Sequence, residues 1–380
     1  MCIHTEEPAQ RKTTPFRHDV VGSFLRPQTI KDARQKFQNG EISEQELKKV
    51  EDAEIIKLVE KQKEVGLRAV TDGEFRRSWW HLDFFWGLGG VEKADIEEGY
   101  KFQGVETRAE TARLNGKIVY AHHPFVDHFK FLKEIAGDDV IARQAIPAPA
   151  QFLAELYRGE NKEITDKYYS STDELVADTA KAYKGVILDL YEAGCRSLQL
   201  DDCTWGMLCD RNYWEARQQE GLHVEETAKL FARVNQETVN GLPEDLVITT
   251  HVCRGNYAST WASSGGYEPV AETLFGIDHI DGYYLEFDTD RAGDFTPLKS
   301  LRKDQQVVLG LISSKTGELE SKEEIISRIK EAAEIVDLNQ ICLSPQCGFA
   351  STEEGNILTE EQQWEKLKLI KEIADEIWPA

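Results

Sequence analysis

Long uninterrupted apolar stretches are missing from this chain of 380 residues. No segment approaches the roughly 18 consecutive apolar residues that a membrane-spanning helix needs. Residues 1–16 carry acidic side chains early and have no apolar core, so they do not look like a secretory signal. Low-complexity tracts and obvious linkers are missing as well. We therefore expect a cytoplasmic globular protein that is not bound to a membrane.

Basic residues are too few to balance the acidic ones. The chain has 45 Lys and Arg against 68 Asp and Glu, which gives a formal net charge of −23 and a pI near 4.9. A protein this acidic repels the phosphate backbone of nucleic acids and the surface of anionic lipids. We therefore expect small-molecule substrates as partners, with no nucleic acid and no membrane.

The cysteines do not form the pattern of a disulfide framework. There are seven of them, an odd number, and they are scattered over the whole chain. In a reducing compartment most of them would be small buried side chains, and only a few would bind a metal or act as nucleophiles.

Short β-rich runs alternate with amphipathic helical segments along the chain. The β-rich runs are residues 18–23, 68–72, 140–146, 197–201, 246–252, 282–287, 306–312 and 340–343. This alternation predicts an α/β fold with a parallel sheet, and eight repeats fit a closed (β/α)8 TIM barrel better than an open sheet. The length would allow two smaller domains, but the rhythm favours one catalytic barrel over residues 1–380.

Two connections are too long to be simple links between a strand and a helix. Residues 79–139 follow the second run and are rich in aromatic side chains, and residues 117–121 read as part of a small hairpin. Residues 204–220 follow the fourth run. We expect an inserted segment and a long loop, which would cover a substrate or, equally well, form an oligomer contact. A homodimer therefore stays among the alternatives.

A metal site is predicted from four residues at the ends of the runs. His251 and Cys253 are two residues apart at the end of the fifth run, so their side chains point to the same face. The barrel would bring Glu286, at the end of the sixth run, and Cys347, just after the eighth, to the same mouth. A nitrogen, two thiolates and a carboxylate suit zinc. The alternatives are a Glu286 paired with Arg291 and a Cys347 that is only a small buried side chain.

The charge of this ligand set indicates its chemistry. Two thiolates and a carboxylate around a dication leave a net negative site, which activates water poorly. A substrate thiol is different, because zinc lowers its pKa and presents it as a nucleophile. We expect the hard carboxylate of Glu286 to be the ligand that leaves.

Further polar residues stand at the ends of other runs. Glu74 and Asp201 form a carboxylate pair that suits the ammonium group of an amino acid, and Ser23 with nearby backbone N–H groups could hold its carboxylate. The alternatives are strand-end caps and ion pairs. Arg76 and Trp86 could bind a flat anionic ligand by stacking and charge, although the aromatic cluster near them is more typical of a core.

At these residues the sequence resembles the cobalamin-independent methionine synthase family, in particular its catalytic C-terminal barrel, over most of the chain. The matching pieces are Val21-Gly22-Ser23-Phe24, Asp72-Gly73-Glu74, Leu198-Gln199-Leu200-Asp201, Thr250-His251-Val252-Cys253, the strand ending at Glu286, and Ser344-Pro345-Gln346-Cys347-Gly348. The resemblance implies zinc on the four predicted ligands. It also implies an S-methyltransferase that moves the methyl group of 5-methyltetrahydrofolate to homocysteine, with homocysteine held by Gly22, Ser23, Glu74 and Asp201.

The departures from the family fall on the donor side. The chain has no room for the second, N-terminal barrel of the full-length enzymes and looks like their single-barrel relatives. Asp202 stands within Asp-Asp-Cys, where the family has Asp-Glu-Pro, and Ser313 stands where the family has a proton-donating histidine. These two residues are the candidate catalytic groups of the donor side, and Trp86 and Arg76 are the candidate stacking groups.

Other readings therefore stay open beside the leading one. The methyl donor could be a folate or another methyl carrier. A second zinc-thiolate alkyltransferase, such as one that opens an epoxide with a thiol, shares the same ligand pattern. A non-catalytic barrel that binds zinc or thiols is the third alternative.

Overall fold

Residues 11–218 and 223–379 are described by this computed structural model. The helices of that part of the chain are α1 (Gln28–Gln38), α2 (Glu44–Glu64), α3 (Leu82–Phe85), α4 (Pro124–Ala136), α5 (Pro149–Leu156), α6 (Asn161–Tyr168), α7 (Thr172–Glu192), α8 (Thr204–Cys209), α9 (Arg211–Gln218), α10 (Val224–Val239), α11 (Ala271–Phe275), α12 (Lys322–Ala333) and α13 (Glu360–Ile377). The strands are β1 (Ala69–Val70), β2 (Gly89–Asp95), β3 (Lys101–Phe102), β4 (Val105–Glu106), β5 (Glu110–Val119), β6 (Ile141–Ala142), β7 (Gln144–Pro147), β8 (Ser197–Asp202), β9 (Val247–Val252), β10 (Gly282–Glu286), β11 (Gln306–Ile312) and β12 (Ile341–Pro345). Short 3₁₀ helices cover Asp290–Ala292, Thr296–Ser300 and Leu338–Gln340.

Six strands form the central parallel sheet, in the order β12-β11-β10-β9-β8-β7. Every residue of β8, β10 and β12 is buried, including the polar side chains of Gln199, Asp201 and Asp202 in β8. Helices separate the strands along the chain, as parallel connections require. The predicted α/β fold with a parallel sheet is confirmed.

Contacts continue beyond both edges of this sheet. β6 directly precedes β7 and pairs in parallel with β1. At the opposite edge, His18 forms a parallel bridge to Leu343 of β12. The Phe24 N–H donates to the Gly73 carbonyl at 3.1 Å, which joins the first predicted run to the loop after β1. These contacts connect the two edges of the sheet in the order that a closed barrel requires. Residues 18–23, however, form a single bridge and no regular strand, so the closed eight-stranded barrel stays a prediction.

The segment after β1 folds around an antiparallel hairpin. β2 pairs with β5, and β3 pairs with β4 at its tip. The predicted hairpin at residues 117–121 overlaps only the end of β5. The tip reaches the loop that follows β9, because the Gln103 N–H donates to the Trp261 carbonyl at 3.1 Å and the Phe102 ring lies 5.5 Å from the Tyr257 ring.

Residues 204–220, predicted as a long loop, contain the two helices α8 and α9, and residues 219–220 lie outside the described part. Elsewhere the local sequence sets the helix starts. Ser43 and Glu46 exchange hydrogen bonds at the start of α2, and Thr359 and Gln362 do the same at the start of α13, so both helices begin with a capping box. None of the helices described here has both the length and the apolar composition to cross a membrane.

Candidate metal centre and substrate site

The register of three neighbouring strands places the predicted ligands in two layers. β8 and β9 pair Asp201 with His251, and β9 and β10 pair His251 with Tyr284. Since every second side chain of a strand points to the same face, Cys253 and Glu286 occupy the next layer towards the strand ends. One ligand atom from each of the four predicted residues, with Cys347 from the loop after β12, lies within 4.8 Å of the others, and all four residues are buried.

The imidazole of His251 has a free nitrogen at this cluster. Its Nδ1 lies 3.3 Å from the Tyr284 carbonyl, while its Nε2 is buried and has no hydrogen-bond partner among the described residues. A neutral imidazole that donates from Nδ1 presents the lone pair of Nε2, as metal-binding histidines do. A buried polar atom without a partner is costly, and a metal ion would remove that cost.

Two thiols complete the soft part of the donor set. The Sγ atoms of Cys253 and Cys347 are 3.6 Å apart, and the Gly255 N–H donates to Cys253 Sγ at 3.3 Å. The pKa of Cys253 is raised well above its usual value, first by a hydrogen bond with Cys203, and that of Cys347 is raised likewise, first by its hydrogen bond with Cys253. A bound cation reverses such shifts, because it stabilises the thiolates. The donor set therefore fits a soft divalent metal such as zinc.

The carboxylate of Glu286 is held by protein donors on both oxygens. Oε1 accepts from the Arg254 N–H at 2.7 Å, and Oε2 accepts from Gln346 Nε2 at 3.0 Å. Arg291 lies 3.4 Å from Oε2, so the ion pair weighed as an alternative exists alongside the cluster. Gln346 in turn accepts from the buried ammonium of Lys315 at 3.0 Å. Sequence reasoning missed Gln346 and Lys315, although Gln346 immediately precedes Cys347.

Two buried carboxyl groups stand beside the cluster. Burial raises the pKa of Glu74 to about 7, against the opposing effect of Arg77, and burial likewise raises the pKa of Asp201 to about 7. Arg77 lies 3.2 Å from Glu74 Oε1, but Glu74 Oε2 is buried without a partner among the described residues. The backbone of Glu74 is left-handed, with φ of 60°, which is uncommon for a residue with a side chain. Strain and an unpaired buried oxygen at one residue are typical of ligand-binding positions.

Gly22 and Ser23 connect the first predicted run to the loop that carries Cys347. The Ala350 N–H donates to Ser23 Oγ at 3.3 Å, and a Cβ atom on Gly348 would lie 1.8 Å from that oxygen. On the other side, the Thr71 hydroxyl donates to the Gly22 carbonyl at 2.6 Å. The close approach of Ser23 therefore leaves no room for a side chain at position 348.

Comparison with known proteins adds a second line of support to this geometry. The family model described as "Cobalamin-independent synthase, Catalytic domain" matches residues 16–121 and 159–375. The chain belongs to this family. The uncharacterized protein YxjH of Bacillus subtilis strain 168 is 48% identical over 375 residues, covering 98% of this chain and 97% of YxjH. A methionine synthase of Saccharolobus solfataricus is 24% identical over 345 residues, covering 87% of each chain.

Solved structures of similar proteins agree with the family assignment. A provisionally assigned vitamin-B12-independent methionine synthase from Listeria monocytogenes has a TM-score of 0.77 and 41% identity, covering 97% of this chain and 100% of that one. A B12-independent methionine synthase from Shewanella sp. W3-18-1 shares the fold, with a TM-score of 0.71 and 19% identity over 95% of this chain and 97% of that one. The resemblance read from the sequence is confirmed, and family membership supports a methyltransferase of methionine biosynthesis.

The predicted donor-side residue Asp202 lies on the other face of its strand. Its carboxylate accepts from Thr204 at the start of α8 and, at 3.3 Å, from Asn235 of α10. Because neighbouring residues of a strand point to opposite faces, Asp202 points to the helices while Asp201 points inward. These contacts correct the donor-side prediction for Asp202. Ser313 is half-buried at the end of β11, where its hydroxyl accepts from the Lys315 N–H at 3.2 Å.

The two predicted stacking residues are engaged elsewhere. The guanidinium of Arg76 forms ion pairs with Glu51 and Asp52 of α2, so it is not free to hold an anionic ligand. Trp86 donates from Nε1 to the Thr111 carbonyl at 3.1 Å inside the inserted segment. The neighbouring aromatic side chains Trp79, Phe84 and Phe85 are buried, which favours the core reading of that cluster.

Proposed function

We propose that the protein is a zinc-dependent S-methyltransferase that moves a methyl group from 5-methyltetrahydrofolate, or a related methyl donor, to the thiol of homocysteine and so produces methionine. We place this activity on a single closed (β/α)8 barrel. The observation that carries the proposal is the buried Nε2 of His251, which has no partner in the described part of the chain and lies beside two thiols and a carboxylate. Asp201 is the neighbour of His251 on the next strand.

Zinc would be held by His251, Cys253, Glu286 and Cys347. Bound there, it would lower the pKa of an incoming thiol and present the sulfur as a nucleophilic thiolate. The same residues argue against a hydrolase, because thiolate ligands donate charge and weaken the activation of water. The protein donors on both oxygens of Glu286 can stabilise this carboxylate when a substrate thiol takes its place.

The amino-acid part of homocysteine has matching groups on the neighbouring strands. The ammonium group would lie between Asp201 and Glu74 Oε2, which has no partner among the described residues. Such a cation would stabilise the ionised forms of these two buried carboxyl groups. The Ser23 hydroxyl, whose oxygen accepts from the Ala350 N–H, would donate to the carboxylate. Held at both ends, the substrate directs its sulfur to the cluster, and the burial of these residues keeps water away from it.

The donor has less definite contacts. Ser313 and the buried ammonium of Lys315 lie at the end of β11, where they would face the group from which the methyl leaves. The hairpin tip that contacts Trp261 would cover a donor bound over the cluster.

A panel of methyl donors tests the proposal. Zinc-loaded protein is mixed with homocysteine and either 5-methyltetrahydrofolate, its polyglutamate form, or other methyl carriers, and methionine is measured. Methionine formed from at least one donor supports the methyltransferase. If a different thiol is alkylated by an epoxide while homocysteine stays inert, the epoxide-opening reading replaces ours. Asp138→Asn, at an exposed position, is the matched control for variants of the site.

A further inference from the structure

The side chain of His81 is buried just before α3, where it begins a chain of hydrogen bonds. Its Nε2 lies 2.8 Å from the hydroxyl of Tyr100, which directly precedes β3 in the hairpin. That hydroxyl donates to Glu155 Oε2 at 2.5 Å, and Glu155 also accepts from Arg158 at 3.0 Å, as an ionised carboxylate does. The single hydroxyl proton of Tyr100 is used in this bond, so its oxygen accepts from His81, and Nε2 carries a proton.

This tautomer makes the other ring nitrogen of His81 a hydrogen-bond acceptor. Burial lowers the pKa of His81 well below its usual value, and the charge of Arg158 adds to the effect, so the ring is neutral and Nδ1 has a free lone pair. Nδ1 is buried without a partner among the described residues, and the side chain does not cap α3. A buried acceptor without a donor is costly, so this position favours a ligand that offers an N–H or O–H group.

The surroundings of His81 are flat and aromatic. The Trp80 ring lies 4.5 Å from the imidazole, with 30° between the two planes, and the rings of Phe85 and Tyr100 meet it edge-on at 5.6 and 5.3 Å. Trp80 is half-buried, so this group of rings reaches the surface. Aromatic side chains around one polar atom suit a flat heterocycle that carries a ring N–H.

The same group of rings is connected to the metal cluster. The Trp80 N–H donates to the Ser351 carbonyl at 2.9 Å, and Ser351 Oγ lies 4.0 Å from the predicted ligand atom Cys347 Sγ. On the other side, Glu155 belongs to α5, which starts directly after β7. His81 is therefore joined to segments that follow the carboxyl ends of two strands, which is the end of the sheet where the cluster lies.

We propose that His81 binds the methyl donor, and that its Nδ1 accepts a hydrogen bond from a ring N–H of a flat heterocyclic carrier held beside Trp80. This inference rests on the proposed function for the existence of a donor, and it narrows the donor to a carrier with such a ring, as the pterin of a folate has. Tyr100 and Glu155 do not touch the carrier. They keep the proton on Nε2, so that Nδ1 stays an acceptor.

Calorimetry with 5-methyltetrahydrofolate tests this assignment without an activity assay. His81→Phe keeps a flat ring but removes the acceptor, so the dissociation constant should rise about tenfold, as expected for the loss of one hydrogen bond. His81→Asn keeps a short side chain with an acceptor oxygen and should recover part of the affinity. His122→Phe is the control, because His122 is exposed and contacts Asp127. It should bind the folate as the wild type does, and all three variants should bind homocysteine normally.

Nitrogen NMR of histidine-labelled protein gives a direct reading of the contact. The His81 signals are assigned by their loss in His81→Asn. In the wild type, Nε2 should carry the proton, and the Nδ1 signal should shift when 5-methyltetrahydrofolate is added. An Nδ1 that carries the proton, or that does not respond to the folate, overturns the inference.

The remaining outcomes separate this inference from the proposed function. Equal folate affinity in the wild type and His81→Phe overturns the role of His81, while methionine formation by the wild type keeps the methyltransferase. Methionine formed only from a donor without a flat N–H-bearing ring has the same meaning. A His81→Phe variant that loses homocysteine and folate binding to the same extent shows a general structural role and also overturns the assignment. If no donor gives methionine, both proposals are wrong.

Discussion

The side-chain amide of Gln346 donates to Glu286 Oε2 at 3.0 Å. The other end of the same amide accepts from Lys315 Nζ at 3.0 Å, so one neutral side chain connects a buried cation to a buried anion. Such a connection orients the carboxylate and satisfies the ammonium at the same time.

Gln346→Leu should therefore destabilise the metal-free protein. The substitution leaves Lys315 without its amide acceptor and removes one donor from Glu286. We expect the free energy of unfolding to fall by about 1–3 kcal/mol, measured by denaturant titration. Gln35→Leu, at an exposed helix position, should change it by less than about 0.5 kcal/mol. Equal stability of the two variants would show that this connection contributes nothing.

Cys347→Ser should weaken zinc binding by at least about 100-fold, because a hydroxyl is a far poorer zinc ligand than a thiolate. Competition with a chromophoric chelator measures the affinity. Cys342→Ser serves as the control, since Cys342 is buried in β12 away from the cluster. An unchanged affinity in Cys347→Ser removes this residue from the ligand set.

Norleucine, an amino acid without a thiol, should bind more tightly as the pH rises from 6 to 8. The pKa of Glu74 and that of Asp201 are both about 7, so these carboxyls become anionic across this range and then attract the ammonium group. At a pH one unit below such a pKa, we expect the affinity for norleucine to be about tenfold weaker for each carboxyl involved. Calorimetry at several pH values gives the dissociation constants. A flat profile, or one that falls with pH, contradicts the ammonium site.

Asp201→Asn should stabilise the ligand-free, metal-free protein at pH 8 but not at pH 4. The folded-state pKa of about 7 lies well above the ordinary value of an aspartate, so the cost of ionising this buried group is absent at low pH. The cost grows as the pH rises through the folded pKa. We expect a gain of about 1–3 kcal/mol at pH 8, discounted from the full shift. Asp138→Asn, fully exposed, should show no such dependence. The stabilised variant should bind norleucine more weakly.

The strands of the central sheet were predictable because they are buried on both faces. Residues 306–312 were predicted as a strand, and β11 spans Gln306–Ile312. Residues 18–23 have the same β-rich composition but form only a bridge at His18. The composition of a segment predicts that it is buried, but not that it forms regular hydrogen bonds with a neighbouring strand.

The metal cluster was easier to predict than its surroundings. Histidine and cysteine at a spacing of two are a weak signal alone, but Glu286 and Cys347 at other strand ends strengthen it. Gln346 and Lys315 are ordinary residues until the fold brings Gln346 to Glu286 and Lys315 to Gln346. The error over Asp202 has a simple cause, since the end of a strand does not by itself specify which face a residue occupies. The prediction that Arg76 binds an anionic ligand failed for another reason: its ion-pair partners lie on α2, more than twenty residues earlier in the chain.

Glu74 has two features that a stable fold would avoid, a left-handed backbone and a buried carboxyl with an unpaired oxygen. A glycine in its place would relieve both, because glycine adopts positive φ freely and carries no charge. The same change would leave the buried guanidinium of Arg77 without this ion-pair partner. Under the proposed function, the fold bears this cost because Glu74 holds the ammonium group of the substrate.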